Sequence, residues 1–214
     1  MRFIYKETFS CFIYVKMFIS HRVNYLDENI AETVFSQADG IEFDIRDTKD
    51  GIIVQHDPFE GGQPFADFLK FCPYNKIYIV NVKSEGIEHR AIQLLETYEI
   101  YNFFLLDCSI PMMIKLGKEG EHRLAVRFSE YESMETVEAI APFVKWVWVD
   151  VFTKLPLTKA IEERIHKLGL MICLVSPELQ GQQDKVAIYK TLLAERGVKI
   201  DAVCSKLFNR SLWL

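Results

Sequence analysis

Glu42 and Asp44 stand two residues apart in an apolar run, Gly40-Ile41-Glu42-Phe43-Asp44-Ile45. On a strand both carboxylates share one face, because side chains alternate with period 2. Ile41, Phe43 and Ile45 then point the other way. If helices cover that apolar face, the two acids look into a shared interior, where like charges repel and require a cation, a proton or a basic partner. A hard divalent cation with oxygen ligands meets this requirement most simply. Nearby stretches add groups that bind anions or move protons: His21-Arg22 upstream, His56-Asp57 downstream and Asn81-Val82-Lys83 beyond. Histidine suits proton transfer near neutral pH because its unperturbed pKa is about 6.5.

Regular elements must position these groups, and the apolar periodicity supplies them. Strand-like runs at 15–20, 41–45, 77–82, 103–106, 123–128, 144–151, 170–175 and 202–204 alternate with helical patterns at 29–38, 64–71, 87–98, 111–116, 135–140, 158–168 and 185–196. Asp50-Gly51 suits a tight reversal, after which 52–55 runs back toward His56. Eight strand runs alternating with seven helical ones through short connections favour a parallel α/β architecture, a TIM (β/α)8 barrel, over a doubly wound open sheet. The 214 residues form one barrel domain, near the lower size limit for that fold. Residues 1–14 show no clear period and are expected to be an N-terminal extension, an extra strand or a plug over the barrel bottom. Barrel chemistry gathers at the carboxyl ends of the strands. Those ends carry His21-Arg22, Glu42 and Asp44, Asn81 and Lys83, Asp107, Arg127 and Glu130, Trp148 and Asp150, Ser176, and Ser205-Lys206.

Composition narrows the partners. Half the residues are hydrophobic, 26% are charged and the net charge is -5. Such a chain folds around a core of normal size and offers no global basic field for nucleic acid. The five cysteines, Cys11, Cys72, Cys108, Cys173 and Cys204, are odd in number and form no close metal-type pair. Cys173 and Cys204 sit in apolar runs and read as small buried hydrophobes in a reducing compartment. The apolar stretch 9–19 is interrupted by Lys16, is too short to span a bilayer and lacks a small-residue cleavage site. It reads as leading into the first strand, so the expectation is a cytoplasmic protein without stable membrane insertion.

Taken together, Ile19-Ser20-His21-Arg22, Gly40-Ile41-Glu42-Phe43-Asp44, Thr48-Lys49-Asp50-Gly51 and His56-Asp57-Pro58 resemble, in order, spacing and residue type, the glycerophosphodiester phosphodiesterase family. That family is a barrel related to bacterial phosphatidylinositol-specific phospholipase C. The resemblance implies a metal-dependent phosphodiester hydrolase. His21 and His56 match its two catalytic histidines, one a general base and the other a general acid. Glu42 and Asp44 match ligands of a Ca²⁺ or Mg²⁺ ion, and Arg22 and Lys83 match residues that meet the phosphate. The set is chemically coherent, since a phosphodiester needs charge neutralised on its non-bridging oxygens and protons moved at both bridging oxygens. The implied substrate is a small phosphodiester or a phosphorylated glycan.

Departures from the family pattern shape the expectation. Where the family has Glu-x-Lys on the third strand, this chain has Asn81-Val82-Lys83, so Asn81 would offer an amide oxygen in place of a carboxylate. Asp107 or Asp150 is a candidate to restore the charge. Val23 replaces the glycine usual after His-Arg, and only residues 59–76 fill the place of the usual insertion after the second histidine, giving a compact barrel. Trp148 and Asp150 share a face at the end of the sixth strand, where Trp148 either walls the pocket or fills the core. Arg127 is expected to pair with Glu130, Glu178 to be solvated, and His89, His122 and His166 to lie on the surface outside any polar constellation. The rival reading is a degenerate barrel that binds a phosphorylated ligand with little or no turnover; a metal-dependent lyase or aldolase on the same barrel is a third.

Overall fold

The computed structural model describes residues 15–214; residues 1–14, expected as an extension or plug, lie outside the described residues. In chain order the elements are β1 (Val15–Ser20), α1 (Glu28–Phe35), β2 (Gly40–Thr48), β3 (Gly51–Val54), β4 (Gln63–Pro64), α2 (Phe65–Leu69), β5 (Ile77–Val82), α3 (Glu88–Thr97) and β6 (Phe103–Leu106). There follow α4 (Ile110–Lys118), β7 (Ala125–Phe128), α5 (Met134–Ile140), β8 (Trp146–Val149), α6 (Lys159–Lys167), β9 (Met171–Val175), α7 (Val186–Glu195), β10 (Ile200–Ser205) and α8 (Arg210–Trp213). Every strand-like run of the sequence forms a strand. Helix starts follow their caps: Asp27, Ser109, Ser133 and Thr158 each accept a hydrogen bond from the backbone N–H three residues on, satisfying a donor the helix cannot.

Eight strands pair in parallel in the order β6-β5-β2-β1-β10-β9-β8-β7. The two ends of this run, β6 and β7, meet through one parallel bridge between Leu105 and Leu124, where the Leu105 N–H donates to the Arg123 carbonyl at 2.8 Å. The architecture is a mixed α/β fold with a central, mainly parallel sheet. β2 runs past Ile45 to Thr48 because β3 folds back on it, pairing Ile45 with Val54 and Thr48 with Gly51. Gly51 takes φ +138° in that reversal, a conformation that favours glycine.

Strand alternation sorts the core into two apolar sets. One face of the sheet presents Ile41, Phe43, Ile45, Tyr78, Val80, Val147 and Val203, packed with helix residues such as Phe35, Phe68, Leu95 and Leu193. The other face presents Ile19, Ile79, Phe104, Trp146, Trp148, Cys173 and Cys204, with Phe104 stacked on Trp146 at 4.7 Å. Glu42 and Asp44 alternate with the first set. Gly40 is required where β2 meets β5, since a Cβ there would lie 2.0 Å from the Ile77 carbonyl oxygen.

Candidate active site

Register places the two acids beside the third-strand motif. Asp44 pairs with Asn81 and Glu42 with Ile79 in the β2–β5 ladder, and both carboxylate residues are 1% exposed. Buried acids need donors, and each finds them locally. Glu42 accepts from the Arg22 N–H at 2.7 Å and from Asn81 Nδ2 at 3.0 Å. Asp44 accepts from Asn24 Nδ2 at 2.8 Å, while the Asp44 N–H donates to Asn24 Oδ1 at 2.9 Å. Lys83 Nζ stands 3.6 Å from Asp44 Oδ1. Burial, reinforced by the Asp44 charge, pushes the Glu42 carboxyl up to about 7.

His21 lies beyond β1, its N–H donating to the Ser205 carbonyl at 2.9 Å and its Nε2 3.7 Å from Glu42 Oε2. Its Nδ1 is buried without a hydrogen-bond partner. Burial, then the charges of Lys206, Arg22, Lys83 and His56, lowers its pKa to about 3, so the ring is neutral at physiological pH. Arg22 adopts φ +54°, an uncommon conformation for a side chain of this size, held where its N–H caps Glu42. Its Nε stands 3.8 Å from Asp44 Oδ2 and its side chain is half exposed.

His21, Arg22 and Glu42 line a cavity of about 390 Å³ together with Asn81, Lys83, Arg127, Trp148, Asp150 and Phe152. Trp148 is 4% exposed, packs in the inner core and borders the cavity, with Nε1 donating to Asp150 Oδ1 at 3.2 Å. His56 is displaced from the others. It stands in the loop after β3, partly exposed, with Nδ1 2.8 Å from Asp57 Oδ1, and the cavity wall does not include it. The structure thus brings together His21, Arg22, Glu42, Asp44, Asn81 and Lys83, with His56 at the margin.

Three expectations are corrected. Arg127 does not pair with Glu130, whose carboxylate instead accepts from the Thr153 N–H and hydroxyl. Arg127 points to the same face as Ala125 and bridges Asp107, at 2.6 Å from Nη2, to Asp150. A chain Lys83–Asp107–Arg127–Asp150 therefore rims the cavity, with Lys83 Nζ donating to Asp107 at 2.9 Å. Asp107 opposes burial with the charges of Arg127 and Lys83 and stays below the usual carboxylate range, whereas burial wins at Asp150 and raises it. Both acids are thus engaged by basic partners. Glu178 is only partly exposed and is held by protein donors: it accepts from the Ser205 hydroxyl at 2.5 Å, from the Lys206 N–H at 3.0 Å and from the Ser176 hydroxyl. His166 does sit in a polar constellation, between Glu162 at 2.8 Å and Asp201 at 3.1 Å. Sequence reasoning missed Asn24, three residues after His21, and the role of Lys206; an asparagine following a strand-end histidine was the available signal.

Asp44 Oδ1 and Asn81 Oδ1 are buried oxygens without a hydrogen-bond donor. With the Glu42 carboxyl they make an all-oxygen donor set, which once Glu42 is ionised fits a hard divalent cation. Among the described residues no group of three or more His, Cys, Asp or Glu is arranged to hold a metal ion, consistent with asparagine in the third place.

Solved structures of 14–17% identity share the whole fold. A chain from Agrobacterium tumefaciens assigned as a glycerophosphoryl diester phosphodiesterase superposes with TM-score 0.65 at 17% identity, over 93% of this chain and 97% of its own. A glycerophosphodiester phosphodiesterase from the same species gives TM-score 0.64 at 15% identity, over 93% and 99%. The glycerophosphoryl diester phosphodiesterase of Parabacteroides distasonis gives 0.61 at 14%, over 93% and 86%. The fold is that of the glycerophosphodiester phosphodiesterases. No family model matches the sequence, and no curated protein does. Among the described residues no helix is long and apolar enough to cross a membrane.

Proposed function

We propose that this chain is a divergent phosphodiester hydrolase of the glycerophosphodiester phosphodiesterase class on a (β/α)8 barrel, with β6 and β7 as its seam. One observation carries the reading: a neutral histidine, an arginine and a lysine line the same cavity as buried Glu42, with Asp44 buried beside it, at the carboxyl ends of adjacent parallel strands of a fold shared with such enzymes. Arg22 and Lys83 hold the non-bridging phosphate oxygens. Glu42, Asp44 and the Asn81 amide oxygen would hold Ca²⁺ or Mg²⁺. Bound there, the cation supplies further positive charge against the phosphoryl group.

In this reading the substrate's neighbouring hydroxyl attacks phosphorus. One histidine takes that hydroxyl's proton as the new O–P bond forms, and the other donates a proton to the departing alkoxide as its P–O bond breaks. The products are an alcohol and a cyclic phosphate that water opens. His21 is placed for one of these transfers. His56, with Nδ1 engaged by Asp57, keeps Nε2 for the other and must move toward the cavity to use it. Glycerophosphodiesters and glycan-linked phosphodiesters are the substrate class.

A second reading, binding with little or no turnover, is favoured by Asn81, which brings no charge to the third ligand position. Phosphorus NMR of glycerophosphodiesters incubated with Ca²⁺ or Mg²⁺ separates the two. Appearance of a cyclic phosphate or phosphomonoester with stoichiometric alcohol supports hydrolysis; a bound but unchanged diester over long incubation supports the second reading.

A further inference from the structure

The loop after β1 carries the sheet onward with a side chain. β1 itself pairs Ile19 with Gly40 and Ser20 with Ile41 of β2. Past the strand end, the Val23 N–H still donates to the Glu42 carbonyl at 2.8 Å. Two residues further along β2, the Asp44 N–H faces the same side, and its acceptor there is the Asn24 side-chain Oδ1, at 2.9 Å. That bond fixes the amide: with Oδ1 turned to a backbone donor, Nδ2 meets Asp44 Oδ2 at 2.8 Å. Arg22 Nε approaches the same oxygen, at 3.8 Å. Asp44 Oδ1 is thereby turned away from the β1 loop, buried without a hydrogen-bond donor and 3.6 Å from Lys83 Nζ. Asn81 is sorted likewise, its Nδ2 donating to Glu42 Oε1 and its Oδ1 left without a donor. At Glu42 the Arg22 N–H takes the other oxygen, Oε2.

This division of the oxygens bears on which cation they suit. Ca²⁺ gathers many oxygens in a loose shell, often both from one carboxylate, whereas Mg²⁺ demands a small octahedral shell, keeps several waters and takes few protein carboxylates. To chelate through both oxygens, Asp44 would have to turn Oδ2 off Asn24 Nδ2. We infer that Asn24 is a positioning residue that confines Asp44 to ligation through one oxygen and thereby biases the site toward Mg²⁺ and against Ca²⁺. The inference rests on the cation site proposed above and goes beyond it, since the acid pair alone accepts either ion.

Calorimetric titration of Mg²⁺ and of Ca²⁺ into wild type, Asn24→Ala and Asn24→Asp, at pH 8.5 where Glu42 is ionised, tests this. Wild type is expected to bind Mg²⁺ at least as tightly as Ca²⁺. Loss of the donor that holds Asp44 should weaken Mg²⁺ about tenfold in Asn24→Ala. Ca²⁺, able to take the second Asp44 oxygen, should weaken less, so that the ratio of its dissociation constant to that of Mg²⁺ falls about fivefold or more. Asn24→Asp keeps an acceptor for the Asp44 N–H, and with it the local backbone, and removes only the donor. Its added charge attracts both ions alike, so the same fall in the ratio is expected there, including where Asn24→Ala fails to fold. A ratio unchanged in the variants marks a merely structural role and overturns the inference, as does a wild type that prefers Ca²⁺ about tenfold or more. A wild type that binds neither ion overturns the cation site itself and the inference with it.

Discussion

Replacing Glu42 with glutamine tests the electrostatics of the acid pair. Burial and Asp44 raise the Glu42 carboxyl from 4.5 to about 7. Between those values the native protein holds a proton that the unfolded chain releases, so stability contributed at low pH is lost as pH rises through 7. At about 1.4 kcal/mol per pH unit, the cost of ionised Glu42 at pH 8.5 is on the order of 3 kcal/mol. Glutamine removes that cost. It keeps one oxygen for Asn81 Nδ2 but sets an N–H against the Arg22 N–H, which costs about 1–2 kcal/mol at every pH. The variant should therefore be less stable than wild type at pH 4, where Glu42 is largely protonated in both states, and more stable, by roughly 1–2 kcal/mol, at pH 8.5. Urea denaturation in EDTA at the two pH values measures this. A stability difference that keeps the same sign and size across the range would refute the argument that the pair is electrostatically strained.

Other outcomes follow from the same geometry. Asn81→Glu should raise Ca²⁺ affinity at least tenfold by calorimetry and lower stability in EDTA, because it adds a third buried negative charge. Lys83→Gln should destabilise the fold by about 1–3 kcal/mol in denaturant titrations, since Asp44 and Asp107 each lose a cation. Gly40→Ala should cost more than about 2 kcal/mol, or prevent folding, because its Cβ meets the Ile77 carbonyl. Cys173 and Cys204, fully buried with their thiols pushed well up by burial, should resist thiol reagents until the protein is unfolded.

The parts of this protein legible in the sequence are those set by local periodicity. Strand alternation alone turns Glu42 and Asp44 to one face and Ile41, Phe43 and Ile45 to the other, and the Asp50-Gly51 reversal follows from backbone preference. Pairings set by register across strands were not legible. Arg127 and Glu130 are three residues apart, yet β7 turns Arg127 toward Asp107, just beyond β6, and Asp150, just beyond β8, while Glu130 follows the loop to Thr153. Glu178 looked solvated in a loop because nothing local shows that β10 brings Ser205 and the Lys206 N–H against it. His166 has Glu162 one helical turn away, a spacing visible in the sequence, but Asp201 arrives from a distant strand.

The central claim is that His21 and Glu42 serve one phosphodiester-cleaving site. The most direct test is alcohol release from glycerophosphodiesters with Ca²⁺ or Mg²⁺ by wild type, His21→Ala and Glu42→Ala. The account predicts turnover by wild type and a loss of at least about 100-fold in each variant, through the acid-base group in His21→Ala and through a cation ligand in Glu42→Ala. Equal activity in all three proteins would contradict it.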